Sequence, residues 1–192
     1  MTAEPKVLYT ESEYLARERD AETKSEYFQG EIFAMAGSSP THSVIANNVG
    51  AILALALRKK PCVAFQSDMR VKIAAIRKHC YPDVSVVCGK PEYERDAFGD
   101  SLLNPTLIVE VMSPSSSDYD RGTKFSHYRA LPSLKEYALV DSERVGVEVF
   151  TKQPNGKWLL SEYKSLSESA ALESVDCALS LAEIYEKTDI QP

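Results

Sequence analysis

The stretch Leu107-Ile108-Val109-Glu110-Val111-Met112 is the most strand-like run of the chain, and it carries one carboxylate among apolar residues. Near-continuous apolar runs of this kind are typical of central strands that are buried on both faces. A second such run, Val84-Ser85-Val86-Val87-Cys88, directly follows Asp83. The two runs predict the centre of a sheet, and each is associated with a carboxylate.

These two carboxylates are a candidate metal site. An unpaired charge inside an apolar strand is costly, so Glu110 must be neutral, paired or bound to a cation. If the two strands are neighbours, Asp83 and Glu110 converge at one end of the sheet, and their oxygen ligands suit a hard cation such as Mg²⁺. Two alternatives stay open: Asp83 caps the turn after Pro82, and Glu110 pairs with an arginine.

The elements around these strands are read from local signals. The capping box Thr10-Glu11-Ser12-Glu13 predicts a helix over 11–20, and Ser39-Pro40 predicts the start of a long helix that ends near Lys60. Alternation around Gln29-Gly30 predicts a hairpin. Further strands are predicted over 62–67, 69–74, 83–88, 106–112, 136–140, 145–152 and 158–163, with helices over 118–131 and from Ser180, and a loop with one helical turn over 89–104.

The order of these elements predicts one α/β domain that spans residues 1–192. Its centre reads helix, three strands, helix, strand. A helix and a hairpin precede this centre, and further strands and a helix follow it.

Several motifs in this order resemble a known group of proteins. Pro82-Asp83 followed by Glu110-Val111-Met112 looks like the PD-(D/E)XK signature of restriction-endonuclease-like nucleases. The chain more narrowly resembles the Uma-two family over roughly Thr10 to Tyr185. Each motif alone is weak, but the ordered set is specific. It comprises 26–32, His42, 67–71, 81–84, 109–115, 120–124, Tyr128 and 136–141. The resemblance implies a restriction-endonuclease-like core.

One departure from the general signature concerns its lysine. That lysine would fall at position 112, where this chain has Met112. The Uma-two family likewise lacks it there, and its candidate replacement lies on the following helix, which indicates Lys124. Asp120, Lys124 and Tyr128 are spaced by four residues and would share a helix face. A plain surface pair between Asp120 and Lys124 is the alternative.

The resemblance also implies roles for individual residues. Asp83, Glu110 and the backbone carbonyl of Val111 would hold Mg²⁺ or Mn²⁺ at the scissile phosphate. Lys124 would supply a fixed positive charge where negative charge develops. Glu31 is a weaker candidate for an additional metal ligand, and a solvent-facing strand residue is the alternative. His42 could contact a phosphate or the metal, and a structural histidine at a helix end is the alternative. The expected supporting residues are His42, Asp68, Ser113, Ser115, Asp120, Arg121 and Tyr128.

The charge composition limits which partners the chain can bind. The chain has 192 residues with 22 bases and 28 acids, for a net charge of −6. An acidic protein is a poor non-specific nucleic-acid binder, so phosphate chemistry must be local. The basic residues between Arg58 and Lys78 could bind successive phosphates of a nucleic acid, or they could be solvent-exposed residues at the ends of a helix and a hairpin.

The apolar runs and the cysteines bear on the cellular location of the protein. No run is long and apolar enough to span a bilayer, and we expect the four cysteines to be reduced thiols in a cytoplasmic protein.

The sequence therefore favours a metal-dependent endonuclease that hydrolyses phosphodiester bonds, with DNA as the expected substrate. The alternative is a non-catalytic nucleic-acid-binding or interaction module on the same fold, because fold alone does not decide function. A homodimer is also expected, since cutting both strands of a duplex requires two active sites.

Overall fold

The computed structural model describes residues 7–35, 37–96, 99–114 and 116–190, and of Asp96 the backbone alone. Ser115, one of the expected supporting residues, lies outside the described residues. The helices are α1 (Glu11–Asp20), α2 (Pro40–Ala56), α3 (Ser117–Tyr119), a π-helical turn (Asp120–Lys124) that continues into α4 (Phe125–Tyr128), and α5 (Leu181–Ile184). The strands are β1 (Ser25–Phe28), β2 (Glu31–Ala34), β3 (Cys62–Gln66), β4 (Val71–Ile73), β5 (Lys78–Cys80), β6 (Val84–Cys88), β7 (Tyr93–Asp96), β8 (Gly99–Leu102), β9 (Leu107–Met112), β10 (Glu136–Asp141), β11 (Val147–Lys152), β12 (Trp158–Tyr163), β13 (Ser169–Leu172) and β14 (Cys177–Ser180).

A six-stranded mixed sheet forms the centre of the molecule, in the order β12-β11-β10-β9-β6-β3. The strand β9 is buried along its whole length, and it pairs parallel with β10 and antiparallel with β6. One apolar cluster packs α2 and α5 against one face of this sheet, and a second packs α4 with β4 against the other. The predicted core of helix, three strands, helix and strand is confirmed as α2, β3, β6, β9, the helical stretch 117–128, and β10.

Local signals located the helix starts correctly. Thr10 and Glu13 form the expected capping box of α1. The Ser39 hydroxyl accepts a hydrogen bond from the His42 backbone N–H, and Pro40 occupies the first turn of α2. Because this cap begins the helix at residue 40, His42 lies in its first turn.

A second six-stranded sheet was not predicted as such. It has the order β2-β1-β5-β4-β8-β7, and β1 with β2 is the expected hairpin. The expected loop over 89–104 was wrong, because β7 and β8 form an antiparallel hairpin there. The strand β5 and the hairpin of β13 with β14 were also missed. All of these strands are three or four residues long, which leaves little hydrophobic pattern to read.

The cysteine prediction was wrong for one pair. Cys62 and Cys88 are directly opposite each other on β3 and β6 and form a disulfide, whereas Cys80 and Cys177 are free thiols. The pairing follows from strand register, which the sequence spacing of 26 residues did not reveal. Because disulfides are rare in cytosolic proteins, the cysteines no longer support a cytoplasmic location.

Within the described ranges, none of the helices combines the length and the apolarity required to cross a bilayer.

Candidate active site

The candidate site lies where β6 and β9 separate. Their antiparallel pairing runs from Val86↔Leu107 to Val84↔Val109, so the next opposed positions are Asp83 and Glu110. The Asp83 side chain ends this ladder, because its Oδ2 accepts a hydrogen bond of 2.8 Å from the Val111 backbone N–H. The structure thus brings the two sequence-predicted carboxylates to one end of the strand pair.

Glu110 is buried, and both of its carboxylate oxygens have partners. The Tyr128 hydroxyl donates to Oε1 at 2.7 Å, and the Lys124 ammonium lies 2.9 Å from Oε2. Burial raises the pKa of Glu110 to about 7, although the charge of Lys124 opposes this shift. The partner is therefore a lysine, and not the arginine that was left open as an alternative.

Lys124 ends the π turn, and its side chain is 12% exposed. Its ammonium contacts Glu110 and also lies 3.3 Å from Oδ1 of Asp120, which is buried too. Burial opposes the charged form, but the carboxylates of Glu110 and Asp120 outweigh it and raise the pKa of Lys124 well above its usual value. The pair with Asp120 is thus a buried contact beside Glu110, and not a solvated surface pair.

His42 approaches Asp83 from the first turn of α2. Its Nε2 lies 3.4 Å from Asp83 Oδ2. The hydrogen bond to Asp83 raises the pKa of His42 despite partial burial, and a hydrogen bond to the Val111 carbonyl acts in the same direction. His42 therefore contacts Asp83, which is one of the three groups expected to hold a metal.

The donor chemistry of this site fits a hard divalent cation. Two carboxylates and a carbonyl are oxygen ligands of the kind that Mg²⁺ and Mn²⁺ use. As they stand in the described residues, no three His, Cys, Asp or Glu side chains are arranged to hold a metal ion. The Lys124 ammonium contacts Glu110 and the His42 ring contacts Asp83, so a cation bound here would share these carboxylates with both side chains.

The other predicted residues are distributed differently. Asp68 is 91% exposed and pairs with Lys24. Arg121 forms a two-point ion pair with Glu148 on β11, and Ser113 hydrogen-bonds Ser116. Arg121 and Ser113 instead line a neighbouring pocket of about 220 Å³ at the ends of β9 and β10.

Glu31 is half-buried at the start of β2, opposite Phe28.

Sequence reasoning missed a second buried ion pair beside the site. The Lys78 ammonium lies 2.8 Å from Glu26 Oε2 and donates to the Tyr119 hydroxyl at 3.0 Å. Glu26 also raises the pKa of Lys124. The sequence shows only a lysine in the short run Lys78-His79-Cys80, and the burial of this run is seen only in the structure.

The cluster of bases between Arg58 and Lys78 does not form a continuous positive stripe. Arg70 is buried and hydrogen-bonds Ser101, and Lys72 lies between Glu11 and Glu94. Local acids and hydroxyls therefore pair with much of the positive charge that could have bound phosphates.

Comparison with known proteins places this arrangement in a family. The model of the Uma2 family, described as "Putative restriction endonuclease", matches residues 11–182, so the chain belongs to the Uma-two family. Two uncharacterized proteins of Synechocystis sp. are 39% and 36% identical to it over 173 residues. These matches cover 90% of this chain and 96% and 89% of the relatives, respectively.

A solved structure shares the fold. It is described as a "putative nuclease belonging to DUF820" from Anabaena variabilis, and it superposes with a TM-score of 0.69 at 19% identity. The match covers 86% of this chain and 91% of that one. The restriction-endonuclease-like fold expected from the sequence is thereby confirmed.

Proposed function

We propose that this protein is a divalent-metal-dependent endonuclease that hydrolyses phosphodiester bonds in DNA. The observation that carries the proposal is the convergence of Asp83, Glu110 and Lys124 where β6 and β9 separate. A buried carboxylate beside a buried ammonium has little value to a pure scaffold, because apolar residues of similar volume are often at least as stable. Membership of a family described as "Putative restriction endonuclease" supports the same activity.

In this proposal Asp83, Glu110 and the Val111 carbonyl hold Mg²⁺ or Mn²⁺. The bound cation supplies a water of lowered pKa and offsets negative charge on the phosphate oxygens.

The chain's own residues prepare the site. Tyr128 keeps the Glu110 carboxylate oriented through its 2.7 Å hydrogen bond. Lys124 stays protonated and presents a fixed positive charge beside the reacting phosphate. His42 holds Asp83 in place from α2.

Metal binding and DNA cleavage test the proposal separately. Titration calorimetry with Mn²⁺ should show binding to the parent and its loss in Asp83→Asn. The matched control is Asp176→Asn, which changes a 96% exposed aspartate that pairs with Lys60, beyond the other end of α2. Plasmid DNA should be nicked by the parent with Mn²⁺ and by Asp176→Asn, but not by Asp83→Asn.

The outcomes separate the two candidate functions. A parent that binds DNA but neither binds Mn²⁺ nor cuts would favour the non-catalytic module on this fold. Equal cutting by the parent and by Asp83→Asn would show that the activity comes from elsewhere.

We also propose that the protein acts as a homodimer. The edge strand β12 exposes Leu159 and Leu160 by 56% and 46%, and these apolar side chains suit an isologous contact. Light scattering at tens of micromolar protein should give twice the chain mass of 21.3 kDa. A monomer mass at that concentration would refute the dimer and leave the nuclease proposal untouched.

A further inference from the structure

Tyr119 combines an exposed ring with a fixed hydroxyl. Its side chain is among the exposed large hydrophobics, at 40%. Its hydroxyl accepts a 3.0 Å hydrogen bond from the ammonium of Lys78, whose side chain is only 2% exposed and is itself paired with Glu26. Exposed tyrosines ordinarily direct the hydroxyl to water. Here a buried ion pair anchors the hydroxyl, so the orientation of the ring is set before any ligand arrives.

The anchored ring and the candidate catalytic lysine lie at the two ends of one π turn. Tyr119 immediately precedes the π turn that ends at Lys124. In an α-helix, side chains five residues apart diverge by about 140°. The i→i+5 bonding of a π turn brings them closer to one face. The ring of Tyr119 is therefore displayed on the side of the π turn that carries Lys124.

We propose that Tyr119 is a stacking platform for an unpaired nucleobase next to the scissile phosphate. The preferred substrate would then be a single-stranded or locally unpaired nucleic acid. This inference rests on the proposed nuclease function and specifies its substrate. The bases of a duplex already have their faces covered by neighbours, whereas an unpaired base offers a free face, and stacking on an aromatic side chain contributes about 1–3 kcal/mol per base.

The charge of the protein favours the same substrate. With a net charge of −6 and many of its bases held by local acids, the chain has little electrostatic attraction for the densely charged duplex. Stacking provides affinity that does not depend on net charge, and this lets an acidic nuclease hold a strand.

Binding is measured in a Glu110→Gln background, so that cleavage does not interfere. The probes are a fluorescein-labelled 20-nucleotide DNA strand and the same strand in a blunt duplex, followed by fluorescence anisotropy. Tyr119→Ala should weaken binding of the single strand by about tenfold, within the range that the stacking energy predicts. It should change binding of the duplex by less than about twofold.

Three further variants separate stacking from other roles of the ring. Tyr119→Phe keeps the aromatic face and should stay within about threefold of the parent. Tyr119→Leu keeps an apolar cover over the ion pair of Lys78 but lacks the flat face, so it should bind as weakly as Tyr119→Ala. Leu55→Ala, at a 69% exposed position on α2, should bind both probes like the parent.

Several results would overturn the platform. They are failure of the parent to bind the single strand, unchanged binding by Tyr119→Ala, parent-like binding by Tyr119→Leu, or equal losses on both probes. Tyr119-dependent binding without cleavage by the wild-type chain in Mn²⁺ would reject the nuclease but keep the platform. Cleavage by the wild-type chain without Tyr119-dependent binding would reject the platform but keep the nuclease.

Discussion

Replacing Glu110 by glutamine tests the electrostatics of the site through stability alone. Burial raises the pKa of Glu110 to about 7, from an ordinary value of 4.5. The folded protein therefore binds this proton more tightly than the unfolded chain does. Ionisation of Glu110 then lowers the free energy of unfolding as pH rises through this window.

The shift sets the size of the effect. A difference of one pKa unit corresponds to about 1.4 kcal/mol, so the full cost of ionising Glu110 in the folded state is about 3 kcal/mol. About 2–3 kcal/mol of that cost falls between pH 5 and pH 8. Glutamine keeps an acceptor for the Tyr128 hydroxyl and cannot ionise, and Lys124 retains Asp120. We expect Glu110→Gln to match the wild type at pH 5 and to exceed it at pH 8.

Urea unfolding, followed by the fluorescence of the single tryptophan, gives the free energies at pH 5, 6, 7 and 8. Glu22→Gln is the matched control, because Glu22 is exposed after α1 and should show no such trend. Saturating Mn²⁺ should stabilise the wild type and not Glu110→Gln. A constant difference from pH 5 to pH 8 would refute the reasoning. A variant that is less stable than the wild type at pH 8 would make ionised Glu110 half of a structural ion pair.

Two further predictions concern the displaced lysine and the disulfide. Lys124→Ala should slow DNA cleavage by roughly 10²-fold, and adding Met112→Lys should restore part of that loss, because both positions face the Glu110 side of the sheet. Met112→Lys alone should not increase the rate of cleavage. Circular dichroism checks that each variant folds, and a fully active Lys124→Ala would reject the catalytic role of Lys124. Reducing the Cys62–Cys88 disulfide, which closes 26 residues, should lower the free energy of unfolding by about 3 kcal/mol. Paired Cys→Ala substitution should reproduce this loss in urea melts, and an unchanged midpoint would exclude a stabilising bond.

The sequence by itself determined the features that depend on near neighbours along the chain. The caps at Thr10 and Ser39 located two helix starts, since a capping hydrogen bond spans only a few residues. The apolar runs around Asp83 and Glu110 located the central strands, because a strand buried on both faces needs no partner to reveal itself. The resemblance to the Uma-two family added Lys124 to the candidate site.

Only the tertiary structure decided which distant groups meet. The ion pair of Glu26 with Lys78 joins residues 52 positions apart on strands too short to show a pattern, and the disulfide follows from the register of β3 with β6. The exposure of Asp68 is equally a tertiary outcome, because it depends on which side of the fold its turn faces. Strand pairing, burial and the resulting pKa shifts depend on three-dimensional neighbours, and no local spacing encodes them.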